Sequence, residues 1–193
     1  MELWDVLKQF NWVDILVIIL LFRIGYIALK TGFSRELFKL LGTLLAIYLA
    51  LHYYTGIVDF ISARIATKKM PLDFLGFVIF TLLAAIGYLV FFGLRCIFYH
   101  FIKMEAIPLL NKWGGLVLGI GRGILLVGLV IYILVISSFD YAKKSVENSP
   151  LGKSWLKVAP ATYSIIWHKL TSKFMIKEKF NESVLEVKTR PNS

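Results

Sequence analysis

Between Asp73 and Arg95 the chain runs for 21 residues without a charge, FLGFVIFTLLAAIGYLVFFGL. A helix of about 20 apolar residues, rising about 1.5 Å per residue, crosses a hydrocarbon layer about 30 Å thick. A run of this length is longer than the buried helix of a water-soluble core needs. It predicts a membrane-spanning helix, and everything else in the chain has to be compatible with a bilayer. The composition agrees: 58% of the residues are hydrophobic, against about 45–50% in ordinary soluble domains.

Three further segments have the same character. The pattern predicts spans at residues 12–29, 37–54, 74–98 and 113–139, hence an all-α integral membrane protein whose four transmembrane helices fill residues 1–148. Gly32 is a natural helix stop between the first two spans, with Ser34 as the next N-cap. Residues 55–73 carry Ile57, Phe60, Ile61 and Ile65 at helical spacing, which suits a segment lying along the interface. Residues 100–112 are similar but interrupted by Pro108. The N-terminus carries Glu2 and Asp5 where a signal peptide is basic, and no small-residue cleavage site follows. The first apolar segment is therefore expected to stay as a helix.

After the last span the sequence changes. Ser149 and Pro150 form an N-cap and first-turn pair. Further on, Tyr163, Ile166, Trp167, Leu170 and Phe174 share one helical face, flanked by Lys169, Lys173 and Lys177. Residues 149–177 read as interfacial amphipathic helices, although the same spacing also fits an ordinary solvated helix with a lysine stripe. Residues 178–193 are charged and poor in aromatics, the composition of a mobile polar tail.

The net charge is +10. Because the basic residues flank apolar spans, they point to anionic lipid head groups as partners, and nucleic acid is not expected. Cys96 is the single cysteine, so no intrachain disulfide can form.

Charges inside the spans are the informative ones. Four antiparallel spans place the first and third connections on one membrane face, here side B. Arg23, Glu36, Lys39, Arg95 and Arg122 all fall in that half and are predicted to form an intramembrane charge cluster. Asp14, Asp73 and Asp140 mark helix ends on the opposite face, side A. An arginine at a helix centre costs about 2.5–3.5 kcal/mol on insertion scales. Yet Gly115, Gly119 and Gly123 form one stripe, with Arg122 in the same sector, and small residues at this spacing let helices approach closely. Gly114, Gly121 and Gly128 form a second stripe, and Gly42, Ala46 and Ala50 a matching one on the second span. Arg122 is thus expected inside protein, with Glu36 as its partner. Glycine is also common in membrane helices for no such reason.

No HExxH, P-loop or GxSxG pattern occurs, and "GIGRGI" lies within an apolar helix and does not follow a strand. His52, His100 and His168 lack the spacing of metal ligands. No catalytic residue, metal or cofactor is expected, and the chain does not read as an enzyme.

Two stretches resemble the colicin V production protein (CvpA) family. One is NWVDILVIILLFRIGYIALKTGFSREL (11–37), where an Asn-x-x-Asp start leads to Gly32, Phe33 and Glu36. The other is PLLNKWGGLVLGIGRG (108–123), with a G-x-x-x-G-x-x-R-G element. SPLGKSWLKVAP (149–160) is a fainter likeness. The positions matching the family pattern are Asp14, Gly32, Glu36, Gly115, Gly119, Arg122 and Gly123. Arg23 stands where the pattern varies, and nothing after Pro160 has a counterpart. The resemblance implies a four-span protein of the bacterial cytoplasmic membrane, tied to production or export of a peptide toxin and to envelope homeostasis, without a catalytic mechanism. Its expected partners are anionic lipids and either a second copy or membrane export and envelope proteins. The alternative is a small oligomeric channel or transporter whose basic cluster attracts anions.

Positive charge does not settle the orientation. Arg23, Lys30, Arg35, Lys39, Arg95, Lys103, Lys112 and Arg122 count for side B; Lys8, Arg64, Lys68, Lys69, Lys143, Lys144, Lys153 and Lys157 count for side A. The acidic helix ends on side A favour side B as cytoplasmic, with both termini outside.

Overall fold

The computed structural model describes residues 10–64, 71–101, 108–175 and 178–185. Lys8, Ile65, Lys68, Lys69, Lys103, Lys177 and the tail from residue 186 lie outside these. Four long helices dominate: α1 (Trp12–Thr31), α2 (Phe33–Arg64), α3 (Leu72–Phe101) and α4 (Pro108–Ile136). All four are long and apolar enough to cross a membrane. Among the described residues, three shorter helices of two or more turns follow, α5 (Asp140–Asn148), α6 (Pro150–Leu156) and α7 (Val158–Ile166), with single turns at Ser172–Phe174 and Glu182–Val184. A π-helical turn, Trp167–Thr171, continues α7. The described residues include no strand.

Local chemistry explains the helix ends. Asn11 caps α1 by accepting from Val13 N at 2.8 Å, while Asp14 reaches back to Asn11 N at 2.9 Å, a reciprocal capping box. Gly32 alone separates α1 from α2. Its φ of 77° lies in the left-handed region that glycine adopts without strain. A Cβ there would also collide with Asn111 Oδ1, which accepts from Phe33 N at 2.8 Å.

Several boundaries differ from the sequence expectation: α2 begins at Phe33 and α4 at Pro108, four and five residues earlier than expected. Residues 55–64, expected as a separate interfacial segment, continue α2 without a break, making a 32-residue rod about 48 Å long. No proline interrupts it, and Gly56 sits where nothing approaches within 4 Å. The fourth helix stops at Ile136, three residues earlier than predicted, where the Ser137 hydroxyl turns back to Leu134 O at 2.7 Å.

The helices pack as a row in the order α1, α4, α2, α3, with α1 and α3 at its two ends. Glycines set the closest approaches. On α4, a Cβ at Gly115 would stand 2.8 Å from Gly32 C, one at Gly119 would collide with Ala28 Cβ, and one at Gly123 would stand 3.3 Å from Ile24 Cγ2. This stripe therefore lies against α1. Gly42 and Ala46, expected to match it from α2, serve α3 instead. A Cβ at Gly42 would stand 3.1 Å from Phe91 Cβ, and one at Gly87 would stand 2.6 Å from Ala46 Cα.

The segment after α4 wedges into the groove beside α4. α6 packs on α1 and α4, and α7 packs on α2 and α4. Val158 meets Gly128, eight residues and about 12 Å below the end of α4. Tyr163 and Trp167 are buried, but Leu170 and Phe174, predicted on the same face, are 60% and 83% exposed. The π-helical turn between them shifts the angular register, so one sequence stripe becomes two faces.

Residues 178–185 depart from the expected mobile tail. They dock across α2 and α7, and Val184 is buried in the core with Leu51, Tyr132 and Tyr163.

Candidate functional site

Among the described residues, two carboxylates are fully buried, one at each end of the membrane-spanning unit: Glu36 and Asp14, both 0% exposed. A buried carboxylate without partners is prohibitively costly, so what surrounds each defines its site.

Glu36 lies in the first turn of α2. Lys39, three residues on, places its Nζ 2.6 Å from Glu36 Oε1. The Thr31 hydroxyl at the end of α1 donates to the same oxygen. From α4, Arg122 Nε lies 2.9 Å from Glu36 Oε2. The Nε–H is not aimed at that oxygen, so the contact is an ion pair without a hydrogen bond. Arg122 is itself only 6% exposed, and its Nη2 is buried with no hydrogen-bond partner among the described residues. Three helices thus meet at one carboxylate, with two cations against one anion.

Gly119 makes this geometry available. A Cβ there would stand 3.5 Å from Glu36 Oε2 as well as striking Ala28. The bare backbone lets α1 close and leaves room for the carboxylate. Arg122, three residues further, leans toward the N-terminal end of α4 as long helical side chains do. That brings its guanidinium back toward side B, where α2 begins.

Asp14 is a second hub, at the start of α1. Its Oδ1 accepts from Ser149 Oγ at 2.6 Å and from Leu151 N at 3.0 Å, while its Oδ2 holds Asn11 N. Ser149 Oγ in turn accepts from Gly152 N at 2.7 Å, and Asn11 Nδ2 donates to Ser145 O at 2.7 Å. A carboxylate on the first amides of α6 is favoured by the orphan N–H groups there. The Ser-Pro segment is therefore bolted to the first span across more than 130 residues of sequence.

The other predicted cluster members do not join Glu36. Arg23 is exposed on α1. It is at a suitable depth but about 100° around the helix from Ile24, which faces Gly123. Arg95 is half-buried, its guanidinium 4.7 Å from the centre of the Phe92 ring. On side A, Asp73 and Asp140 join Asp59, Lys143 and Ser183 in lining a cavity of about 380 Å³.

One assembly carries no sequence signal. His52 on α2 places Nδ1 2.8 Å from Tyr163 Oη and Nε2 2.6 Å from Glu178 Oε2. Its ring stacks on Tyr48 and Trp167 at 5.2 and 5.1 Å. Asn181 N donates to Tyr163 Oη at 3.1 Å, and Asn181 Nδ2 to Leu51 O at 2.8 Å. One hydrogen-bond direction satisfies the whole chain: Asn181 N–H to the Tyr163 oxygen, Tyr163 O–H to Nδ1, and Nε2–H to Glu178. In the neutral ring that direction goes with the Nε2–H tautomer. Burial pushes the Tyr163 phenol up, so it remains a donor at physiological pH. These contacts strap residues 178–185 to α2.

Among the described residues, no group of three or more His, Cys, Asp or Glu is placed to hold a metal ion. A family model described as Colicin V production protein matches residues 13–160. No curated protein and no solved structure matches the chain. The match takes in α1 to α6 and ends within α7, before Tyr163, Trp167 and the strap. With well over half of its length matched, including both buried carboxylates and Arg122, this multi-pass membrane protein belongs to the colicin V production protein family.

Proposed function

We propose that the chain is a non-catalytic protein of the bacterial cytoplasmic membrane that assists production or export of a colicin V-type toxin, and envelope homeostasis, through protein and lipid contacts. One observation carries this reading: Asp14, Glu36 and Arg122, the charged residues of the family pattern, are spent on joining helices. Side chains committed in this way make a rigid platform and leave no free nucleophile or general base at either hub. The test is a crosslinking pull-down from membranes, run beside a toxin-release assay. Capture of an export or envelope protein by the wild type, lost together with toxin release in Asp14→Asn, supports the proposal. Unchanged toxin release from cells lacking the protein overturns it.

A second reading has one observation in its favour. The partnerless Arg122 Nη2 is a buried cationic donor of the kind that attracts anions in a channel or transporter. Reconstituted protein distinguishes the two. Saturable anion conductance that disappears in Arg122→Gln supports the channel, and absence of flux removes it.

For orientation, we place side B in the cytoplasm and both termini outside. The acidic cavity rim on side A supports this. In a Cys96→Ser background, Ser154→Cys, at an exposed position on α6, should react with a membrane-impermeant thiol reagent added to intact spheroplasts. Protection there, with labelling only after lysis, reverses the topology.

A further inference from the structure

Beside the Glu36 hub, in the side-B half, Lys39 of that hub and Arg95 of α3 face one opening. A shallow crevice between α2 and α3 is lined by Phe38, Lys39, Tyr88, Phe91, Phe92 and Arg95. Toward the bilayer centre it is closed by the approach of Gly42 to Phe91. Toward side B it is bounded by Phe38, whose ring lies 5.2 Å from that of Phe98 and 6.4 Å from that of Tyr99. Lys39 is six residues from the start of α2, and Arg95 six from the end of α3. Each is about 9 Å in from its helix end. Two antiparallel helices thus present one cation each at the same depth, beneath an aromatic group; Tyr and Trp are enriched at head-group level.

Charge at the crevice is unbalanced. Lys39 shares its carboxylate with Arg122, so that hub carries one excess positive charge. Arg95 makes no ion pair among the described residues and is stabilised only by the Phe92 ring. Around it Phe92, Leu94 and Ile97 are exposed, which on a membrane-spanning helix means lipid. A cation at this depth requires a counter-charge, and on a lipid-facing surface the phosphate of the head group provides one.

We propose that this crevice binds the phosphodiester of an anionic phospholipid in the side-B leaflet, held between Arg95 and Lys39. An ammonium has three donors, and the Lys39 contact with Glu36 occupies one. The same lysine therefore holds Glu36 on one side and the phosphate on the other. The void is about 10 Å³, room for roughly one water-sized group. A single phosphate oxygen enters, and the acyl chains lie along α3. The inference rests on the lipid-contact part of the proposed function and gives it an address; it can fail while the protein-partner part stands.

The test uses the full chain in mild detergent, washed on resin to remove bulk lipid, with retained phospholipid measured by mass spectrometry. Wild type and Arg23→Gln, which removes a cation from the exposed face of α1, should each retain anionic phospholipid. Arg95→Gln should retain about fivefold less, the effect of losing one basic contact at a charged surface, and Arg95→Lys should restore most of it. Excess inorganic phosphate should leave retention unchanged. Equal retention by wild type and Arg95→Gln overturns the proposal, as does retention without preference for anionic lipid. Displacement by inorganic phosphate overturns the lipid assignment in favour of a general phosphate site. If Arg95→Gln does not fold, a photoactivatable phosphatidylglycerol on the wild type decides: label on α3 near residue 95 supports the site, and label elsewhere only overturns it.

Discussion

At the scale of single residues, the account turns on what each buried group touches. Removing one partner of a buried ion pair costs about 3–5 kcal/mol because the other charge is left unmatched. Glu36→Gln and Arg122→Gln should each destabilise the protein by that order in micelle unfolding experiments. The double variant should cost clearly less than the sum, since the two losses are one interaction; strict additivity would break the pairing. Glycines only two positions apart should behave oppositely. Gly119→Ala places a Cβ onto Ala28, and should cost about 1–3 kcal/mol by overpacking. Gly121→Ala meets nothing within 4 Å, and should be neutral or stabilising by about 0.5–1 kcal/mol. The Glu36–Arg122 pairing was legible because charge is scarce inside spans and the antiparallel topology brings the two to the same half. Arg23 misled because its depth is right while its face is wrong, and a one-residue offset on a helix is invisible to a depth argument.

At the scale of elements, the wedge of α5 to α7 and the strap depend on a few polar contacts. Asp14→Asn and Ser149→Ala each weaken a hydrogen bond to a charged group, worth about 1.5–3 kcal/mol. Both should expose residues 145–160 to protease in detergent while α1 to α4 stay protected. Equal protection in wild type and variants would mean that packing alone seats α6. Asn181→Ala should free the strap, read as cleavage after Lys179 with the helices intact. Helix existence followed directly from apolar runs, and the start of α6 from its Ser-Pro cap. The Asp14–Ser149 bolt could not be read from either residue, because each has a sufficient local explanation as a helix cap. The strap was hidden for a different reason. A charged composition forecasts solvation, but Glu178 finds His52 and Asn181 finds the Leu51 carbonyl, partners that tertiary packing supplies.

At the scale of the whole molecule, the central claim is the order of the row. α4 stands between α1 and α2 because its glycine stripe seats α1 and its Arg122 reaches Glu36. α3 is carried by α2 through Gly42 and Gly87. The stripes on α2 and α4 look alike in sequence, and only contact geometry separates their partners. The most direct measurement is disulfide trapping in native membranes, in a Cys96→Ser background. A Cβ at Gly123 would stand 3.7 Å from Ile24 Cβ, and one at Gly42 would stand 3.1 Å from Phe91 Cβ; disulfides favour about 3.8 Å. Ile24→Cys with Gly123→Cys, and Gly42→Cys with Phe91→Cys, should crosslink readily under mild oxidation, while Ile19→Cys with Leu89→Cys, joining α1 to α3, should not. Failure of the first pair together with efficient crosslinking of the α1–α3 pair would contradict the row and the burial of Arg122 that depends on it.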